Sequence, residues 1–353
     1  MKIHLFATEN LYTFEFLKFL ERNFDITSSL FVFRGNIGLS FNYPDAIKDR
    51  IIVSKSNFSF LKNVMPLIRK SEKFYFHQLP YGPSLLLWNL HQRLLAKSVW
   101  IIWGGDVYIH ARRKDSAKRT FFELLRRRLI KYIPVVASFI PGDFEIVKEI
   151  YGSKARYFPS AYPIPLDFMS IDLQPRQSET PGSINILLGN SGNEINNHAD
   201  ALEMLSFLKD SDIKIYCPLP YGGEKEYINS VVAKGSEIFG DRFRPLLNFL
   251  DKKDYLCLLS EMDIAVMNHN RQQGLGNILP LMYFGKKVYL RTETTSYSFL
   301  KDLGCHVFDI ETIREDRSSF LKIDQDTLIK NRDIITSLLS EKRYISLWTK
   351  LLS

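Results

Sequence analysis

The sequence predicts an α/β protein of two doubly wound domains, each a mostly parallel sheet with helices on both faces. Three observations predict it. Strand-like runs alternate with helix-like segments along the whole chain, the alternation starts afresh after Ser183, and a proline-rich polar stretch separates the two series. With 353 residues and 45% apolar content, the chain can bury two cores of ordinary size.

The first series opens on Ile3-His4-Leu5-Phe6 and continues through Leu30 to Phe33, Arg50 to Val53, Lys73 to Phe76, Val99 to Trp103 and Val135 to Phe139. Between these runs, Thr13 to Arg22 and Pro83 to Ala96 carry apolar residues three and four apart, the spacing that lines one face of a helix. Met1 to Ala7 is broken by Thr8-Glu9-Asn10 too early for a secretory signal and reads as the first buried strand. No run reaches the ~20 apolar residues that a bilayer crossing needs. From Ser160 to Ser183 the prolines Pro163, Pro165, Pro175 and Pro181 fall among polar residues without any apolar period, which is the composition of a linker. The second series is Ile184 to Leu188, Ile213 to Tyr216, Phe243 to Leu246, Asp263 to Met267 and Lys287 to Leu290, after which Asp324 to Ser353 reads as helix. The expected domains are residues 1–160, a linker at 161–183, residues 184–325, and a helical tail at 326–353 that packs back on the first domain.

Cys217, Cys257 and Cys305 are odd in number, widely spaced and outside any CxxC pattern, so neither a disulfide framework nor a zinc site is indicated and the cytoplasm is the expected compartment. The seven histidines have no paired metal-ligand spacing. Charge is concentrated in one place. Between Arg112 and Lys131 nine bases stand against two acids, so this segment carries +7 of the chain's net +8.

The chemistry gathers at strand ends. Asp263 to Met267 is followed by Asn268-His269-Asn270-Arg271-Gln272-Gln273-Gly274-Leu275-Gly276-Asn277 and then by an apolar helical pattern. Glycines let the backbone approach a ligand, the amides of a first helical turn have no partner within the helix, and Arg271 adds a planar cation suited to phosphate oxygens. Arg271, Gln272, Gln273, Gly274, Gly276 and Asn277 are therefore read as a diphosphate site. Gly189-Asn190-Ser191-Gly192 ends the first strand of the second series, either as a second wall of the same crevice with amides facing the ligand or as an ordinary strand-to-helix turn. His198, a turn further on, reaches a phosphate in the first of these readings and is structural in the second. Tyr221, in the Pro/Gly-rich stretch from Cys217 to Gly223, either stacks on a nucleobase or is a turn residue with a partly exposed ring.

In the first series, Trp100-Ile101-Ile102-Trp103-Gly104-Gly105-Asp106 sets an acid after a buried strand and a glycine pair. Asp106 is a general base or sugar-hydroxyl ligand, or else a helix N-cap. The basic segment interleaves Arg112, Arg113, Arg126, Arg127 and Arg128 with Phe121, Phe122, Leu124 and Leu125, a mixture suited to an interfacial helix on anionic lipid. A solvated helix face is the plainer alternative. No nucleic-acid-binding module accompanies the patch, so nucleic acid is not the expected partner.

Together these motifs resemble the bacterial 4-acetamido-4,6-dideoxygalactose (Fuc4NAc) transferases of enterobacterial common antigen synthesis, glycosyltransferase family 56. The likeness is carried by Trp103-Gly104-Gly105-Asp106-Val107-Tyr108, by Gly189 to Gly192 with Asn196 to His198, by Pro220-Tyr221-Gly222 with Glu226-Tyr227-Ile228, and most specifically by Arg271-Gln272-Gln273-Gly274-Leu275-Gly276. Asn193 and Gly105 depart from the pattern, standing where an acid and an alanine are usual. The resemblance implies a GT-B fold, two Rossmann-like domains facing across a cleft, with a dTDP-linked amino-deoxyhexose as donor and an undecaprenyl-diphosphate-linked saccharide as acceptor. It implies a peripheral enzyme at the cytoplasmic face of the inner membrane, and no metal or other cofactor, since Arg271 and the amides of Gly274 to Gly276 take the electrostatic role of a metal. Two other readings are compatible with the same fold, a non-catalytic nucleotide-sugar or polyanion binding protein and a nucleotide-sugar epimerase.

Overall fold

The computed structural model describes residues 1–35, 40–111, 116–164, 168–169 and 183–353. Most of the expected linker lies outside the described residues. The chain divides into unit 1, Met1–Pro165 with Ser340–Ser353, and unit 2, Leu166–Leu339.

Unit 1 is built on seven parallel strands, β1 (Lys2–Phe6), β2 (Ser29–Arg34), β3 (Ile51–Ser54), β4 (Lys73–His77), β5 (Ser98–Ile101), β6 (Val135–Ser138) and β7 (Arg156–Pro159), in the order β3-β2-β1-β4-β5-β6-β7. Helices cover both faces, which is why β5 is buried at all four positions and the strand sequences are apolar runs rather than alternations. Asn10 starts the helix Leu11–Asn23 with a capping box to Thr13. Strands accumulate on one side of β1, then β4 is laid on the other, so the order reverses between β1 and β4. Loops leaving a sheet diverge at such a reversal and open a crevice beyond the carboxyl ends of the strands.

Unit 2 repeats the plan with six parallel strands, β8 (Ile184–Leu188), β9 (Ile213–Pro218), β10 (Phe243–Leu246), β11 (Ile264–Met267), β12 (Lys287–Leu290) and β13 (Phe308–Asp309), in the order β10-β9-β8-β11-β12-β13. Its reversal falls between β8 and β11. Ile186, Leu188, Ile215, Ile264, Val266 and Tyr289 of the sheet share one core with Leu202 and Val231 of the helices.

Three differences from the sequence reading have physical causes. β7 and β13 were not anticipated, because four residues ending in proline and a two-residue strand are too short to give a period. The strand read as Val99 to Trp103 ends at Ile101, because Asp106 takes the Trp103 amide and Gly104, at φ 77°, turns the chain. The tail read as one segment divides at Ser340. The helix Lys330–Leu338 stays with unit 2, where Asn331 bonds the backbone of His306 through both its amide atoms and Arg332 lies over the Tyr283 ring at 4.7 Å. The helix Glu341–Leu352 belongs to unit 1, with Trp348 packed on Phe16 at 4.5 Å and its Nε1 donating to Ala161 O at 2.8 Å.

Candidate functional site

In unit 2 the loops that follow β8 and β11 meet at the reversal. Gln273 uses both ends of its amide: Nε2 donates to Asn190 Oδ1 at 3.0 Å, and Oε1 accepts from an Arg271 amino group at 3.2 Å. The guanidinium is thereby tied, through Gln273, to the β8 loop. Gly274 has φ 72° and would bring a Cβ to 3.2 Å from Asn190 Cγ, so only glycine fits as the N-cap of the helix Leu275–Tyr283. The backbone amides of Leu275 and Gly276 belong to that helix's first turn, where no helical carbonyl precedes them. Gln272 is partly exposed.

The β8 loop is a brace rather than the anion cradle that the sequence allowed. The Gly189 amide donates to Val266 O, the Asn190 amide to Asn196 Oδ1 and the Gly192 amide to Tyr221 O. Ser191 is buried, and its Oγ and carbonyl both accept from Asn196 Nδ2. Gly189, Asn190, Ser191 and Gly192 thus form a rigid wall, organised by Asn196, and the electrostatic contribution comes from the β11 loop. His198 has the surroundings of the structural alternative. It is fully buried with Nδ1 3.0 Å from Tyr227 Oη, and it sits under Gly189, where a Cβ would come within 2.8 Å of its Nε2. Burial lowers its pKa to about 4, so the imidazole is neutral and supports the Gly189 turn from beneath. Asn277 is corrected too: its amide is buried and donates to Tyr255 Oη at 2.8 Å, which anchors the helix start to the helix Lys252–Glu261.

Tyr221 is half exposed, and its ring stacks on Phe249 with centroids 5.7 Å apart and planes 8° from parallel, an aromatic shelf beyond β9 and β10. Sequence reasoning passed over Phe249, which has no motif around it. It also gave no role to Asn268, His269 and Arg291. Asn268 and Asn197 exchange side-chain-to-carbonyl bonds of 2.8 and 3.2 Å, and Arg291 Nε donates to Asn268 Oδ1 at 2.8 Å, fixing the end of β11. His269 is fully buried, neither ring nitrogen has a hydrogen-bond partner among the described residues, and its pKa is lowered to about 4 by burial and then by the charges of Arg271 and Arg291. Of these two guanidinium groups, Arg291 is itself paired with Asp200, Glu293 and Glu311.

In unit 1, Asp106 is only 1% exposed, and its carboxylate accepts from Trp100 Nε1 at 2.7 Å, Trp103 N at 3.0 Å and Leu79 N at 3.3 Å. Burial raises its pKa, opposed by the Trp100 bond and by Arg126. A carboxylate enclosed and bonded in this way has the surroundings of a structural group rather than of a general base. It acts on neighbouring loops, fixing Leu79 beside Gln78, which holds the unusual φ of 77°.

The helix Ala117–Ile130 is N-capped by Ser116. Arg112 and Arg113 lie outside the described residues. Arg126 is fully buried, donating to Tyr151 Oη and Asp106 O, and Phe122 is buried against Tyr81; both are corrected from lipid-facing to interior. Helical spacing explains it, since these two residues lie one turn apart on the face turned to the core. Arg127 is committed to Glu123 and to Ile150 O. The outward stripe consists of Lys118, Phe121, Leu124, Arg128 and Lys131, all exposed. Among the described residues no helix is long and apolar enough to cross a membrane.

A family model described as 4-alpha-L-fucosyltransferase glycosyl transferase group 56 matches residues 29–352. The fold matches a sucrose-phosphate synthase from Thermosynechococcus elongatus at TM-score 0.73 and 14% identity, covering 100% of this chain and 98% of that one. It matches WaaG, a glycosyltransferase involved in lipopolysaccharide biosynthesis, at TM-score 0.65 and 10% identity, covering 99% and 98%. It matches the structure of "Trehalose-6-phosphate from E. coli bound with UDP-2-fluoro glucose" at TM-score 0.68 and 9% identity, covering 100% and 99%. At such identities the likeness is one of fold, the two-domain GT-B type.

Proposed function

This chain belongs to the 4-alpha-L-fucosyltransferase family, glycosyl transferase group 56, and is a glycosyltransferase; on that premise we propose that it transfers a 4-acetamido-4,6-dideoxyhexose from a dTDP-linked donor to a saccharide carried on a polyprenyl diphosphate, in the synthesis of a bacterial surface polysaccharide. The observation that carries this reading is the bridge from Arg271 through Gln273 to Asn190 at the β8/β11 reversal. It holds a cation beside the first-turn amides of Leu275 and Gly276, where a donor diphosphate gains both a fork of N–H donors and a helix N-terminus.

When the glycosidic bond breaks, negative charge grows on the departing diphosphate. Fixed dipoles and a guanidinium already in place stabilise that charge without reorganising, so the proposed reaction needs no metal. The Tyr221–Phe249 shelf gives the nucleobase a stacking surface. On unit 1 the outward stripe of Phe121, Leu124, Arg128 and Lys131 supports a peripheral site on an anionic bilayer, taken here as the cytoplasmic face of the inner membrane.

Thermal stabilisation by a panel of nucleoside diphosphates tests the donor site. A ligand at about 100 times its Kd stabilises the fold by about 2.7 kcal/mol. The reading expects dTDP to give the largest shift and Arg271→Ala to remove most of it. Equal shifts in both proteins, or no shift with any nucleotide, would overturn it.

A further inference from the structure

Gln78 follows β4 at the β1/β4 reversal of unit 1 and is held at φ 77°, in the left-handed region. A residue with a Cβ is strained there, and glutamine lacks the short polar arm that lets asparagine or aspartate settle in that region. Gly104, after β5, has the same φ of 77°, so the chain places glycine where the backbone alone decides. At Gln78 the conformation is clamped instead. Its own amide donates to Ile101 O at 3.1 Å. His77, before it, is buried with Nε2 2.8 Å from His4 Nδ1 and with Nδ1 bonded to Tyr162 Oη, and Leu79, after it, donates its amide to the buried Asp106 carboxylate. These buried groups, which the donor chemistry does not use, over-determine a costly conformation. Such strain gathers where a side chain has to be presented to a ligand.

The side chain kept there is available. Gln78 is partly exposed and lines a cavity of about 480 Å³ beyond the carboxyl ends of β1 to β4, and its carboxamide has no hydrogen-bond partner among the described residues. Ser54, Ser56, Asn57 and Ser84 line the same cavity with groups that, like a carboxamide, both donate and accept, and Tyr81 adds an exposed ring. That combination suits a sugar, whose hydroxyls need donors and acceptors at once and whose C–H face can lie on an aromatic ring. We infer that Gln78 is a specificity-determining contact for the saccharide that receives the transferred sugar, its carboxamide bonding two adjacent polar groups of that saccharide. This rests on the transferase reading above and names a residue that selects its second substrate.

The test measures release of dTDP from dTDP-Fuc4NAc by the full chain, with and without the polyprenyl-diphosphate-linked saccharide. Gln78→Ala removes the carboxamide and leaves a Cβ in the left-handed region, whereas Gln78→Gly removes both. In each variant kcat/KM for the acceptor should fall about tenfold or more, while calorimetry finds dTDP affinity within about twofold of wild type. The melting temperature should rise by about 2 °C in Gln78→Gly and not in Gln78→Ala, since only glycine relieves the backbone. Lost turnover beside gained stability is a pattern that a merely structural residue does not give. Tyr162→Phe, which releases His77, should lower kcat/KM for the acceptor severalfold by itself and add nothing in the Gln78→Ala background. Acceptor kcat/KM within about twofold of wild type in both Gln78 variants overturns the contact, and a lower melting temperature in Gln78→Gly overturns the strain. If wild type releases dTDP no faster with the acceptor than without it, the transferase reading itself fails and takes this inference with it.

Discussion

Gln273 Nε2 and Asn190 Oδ1 stand 3.0 Å apart across the point where the strand order of unit 2 reverses. One neutral hydrogen bond joins the loop that carries Arg271 to the loop that walls the crevice. If that bond positions the guanidinium, Gln273→Ala and Asn190→Ala must damage the same thing. Each is expected to weaken nucleoside-diphosphate binding by about 1 kcal/mol, and the double variant to be no worse than the worse single. Calorimetry of the four proteins measures this, and fully additive losses would mean that the two residues act separately.

Asp106→Asn is expected to cost stability more than chemistry. The carboxylate serves three donors, and an asparagine would turn an NH₂ toward one of them. A loss of about 1–3 kcal/mol follows from leaving buried donors unmatched. Donor binding should be unchanged, and turnover per folded molecule should fall less than about tenfold. A fall of about 10²-fold with an unchanged melting temperature would return Asp106 to the reaction centre.

Stability should depend on the buried histidines. His198 and His269 both have pKa values lowered to about 4 from 6.5, burial being the first cause in each. The unfolded chain takes up these protons near pH 6.5 and the folded chain only near pH 4. Their contribution is therefore complete above pH 6.5 and lost as pH falls toward 4, with a limiting slope of about 1.4 kcal/mol per pH unit for each group. Urea melts between about pH 7 and 5, above the range where ordinary carboxylates titrate, should reveal the decline, and His269→Gln should shallow it. Constant stability across that range would contradict the burial of neutral imidazoles.

Binding to anionic vesicles should follow the outward stripe of the helix Ala117–Ile130 and its end. Arg128→Glu with Lys131→Glu is expected to lower partitioning by roughly tenfold or more, at about 1 kcal/mol for each charge removed and with the reversal adding to it. Phe121→Ser with Leu124→Ser should remove the part that persists in high salt. Arg126→Ser should instead lower the melting temperature, because that guanidinium is interior. Vesicle sedimentation in which the Arg128/Lys131 variant partitions like wild type would leave the stripe as a solvated face.

The sequence made the two parallel sheets legible because buried strands such as Ile264 to Met267 are continuous apolar runs set between helical periods. The Arg271 loop was legible for a similar reason, since a strand, a glycine and a helix start in succession put first-turn amides at a sheet edge. What the sequence hid was direction. Phe122 and Arg126 lie in the same basic stretch as Phe121 and Arg128, yet only helix rotation decides which pair faces solvent. Asn190 and Ser191 have the residue types of a ligand loop, and the bonds with Asn196 and Gln273 consume them. A cavity beyond the carboxyl ends of the unit 1 strands draws Arg34, Lys55, Gln78 and Trp88 from separate segments with no motif among them, so topology alone assembles it.

Release of dTDP from dTDP-Fuc4NAc, followed with and without a polyprenyl-diphosphate-linked saccharide, tests the central claim most directly. The account predicts rapid release only when the lipid-linked acceptor is present, persistence of that release in chelator, and a loss of about 10-fold or more in kcat/KM for Arg271→Ala, corresponding to about 1.4 kcal/mol or more. Acceptor-independent release at the same rate, or full activity in Arg271→Ala, would contradict it.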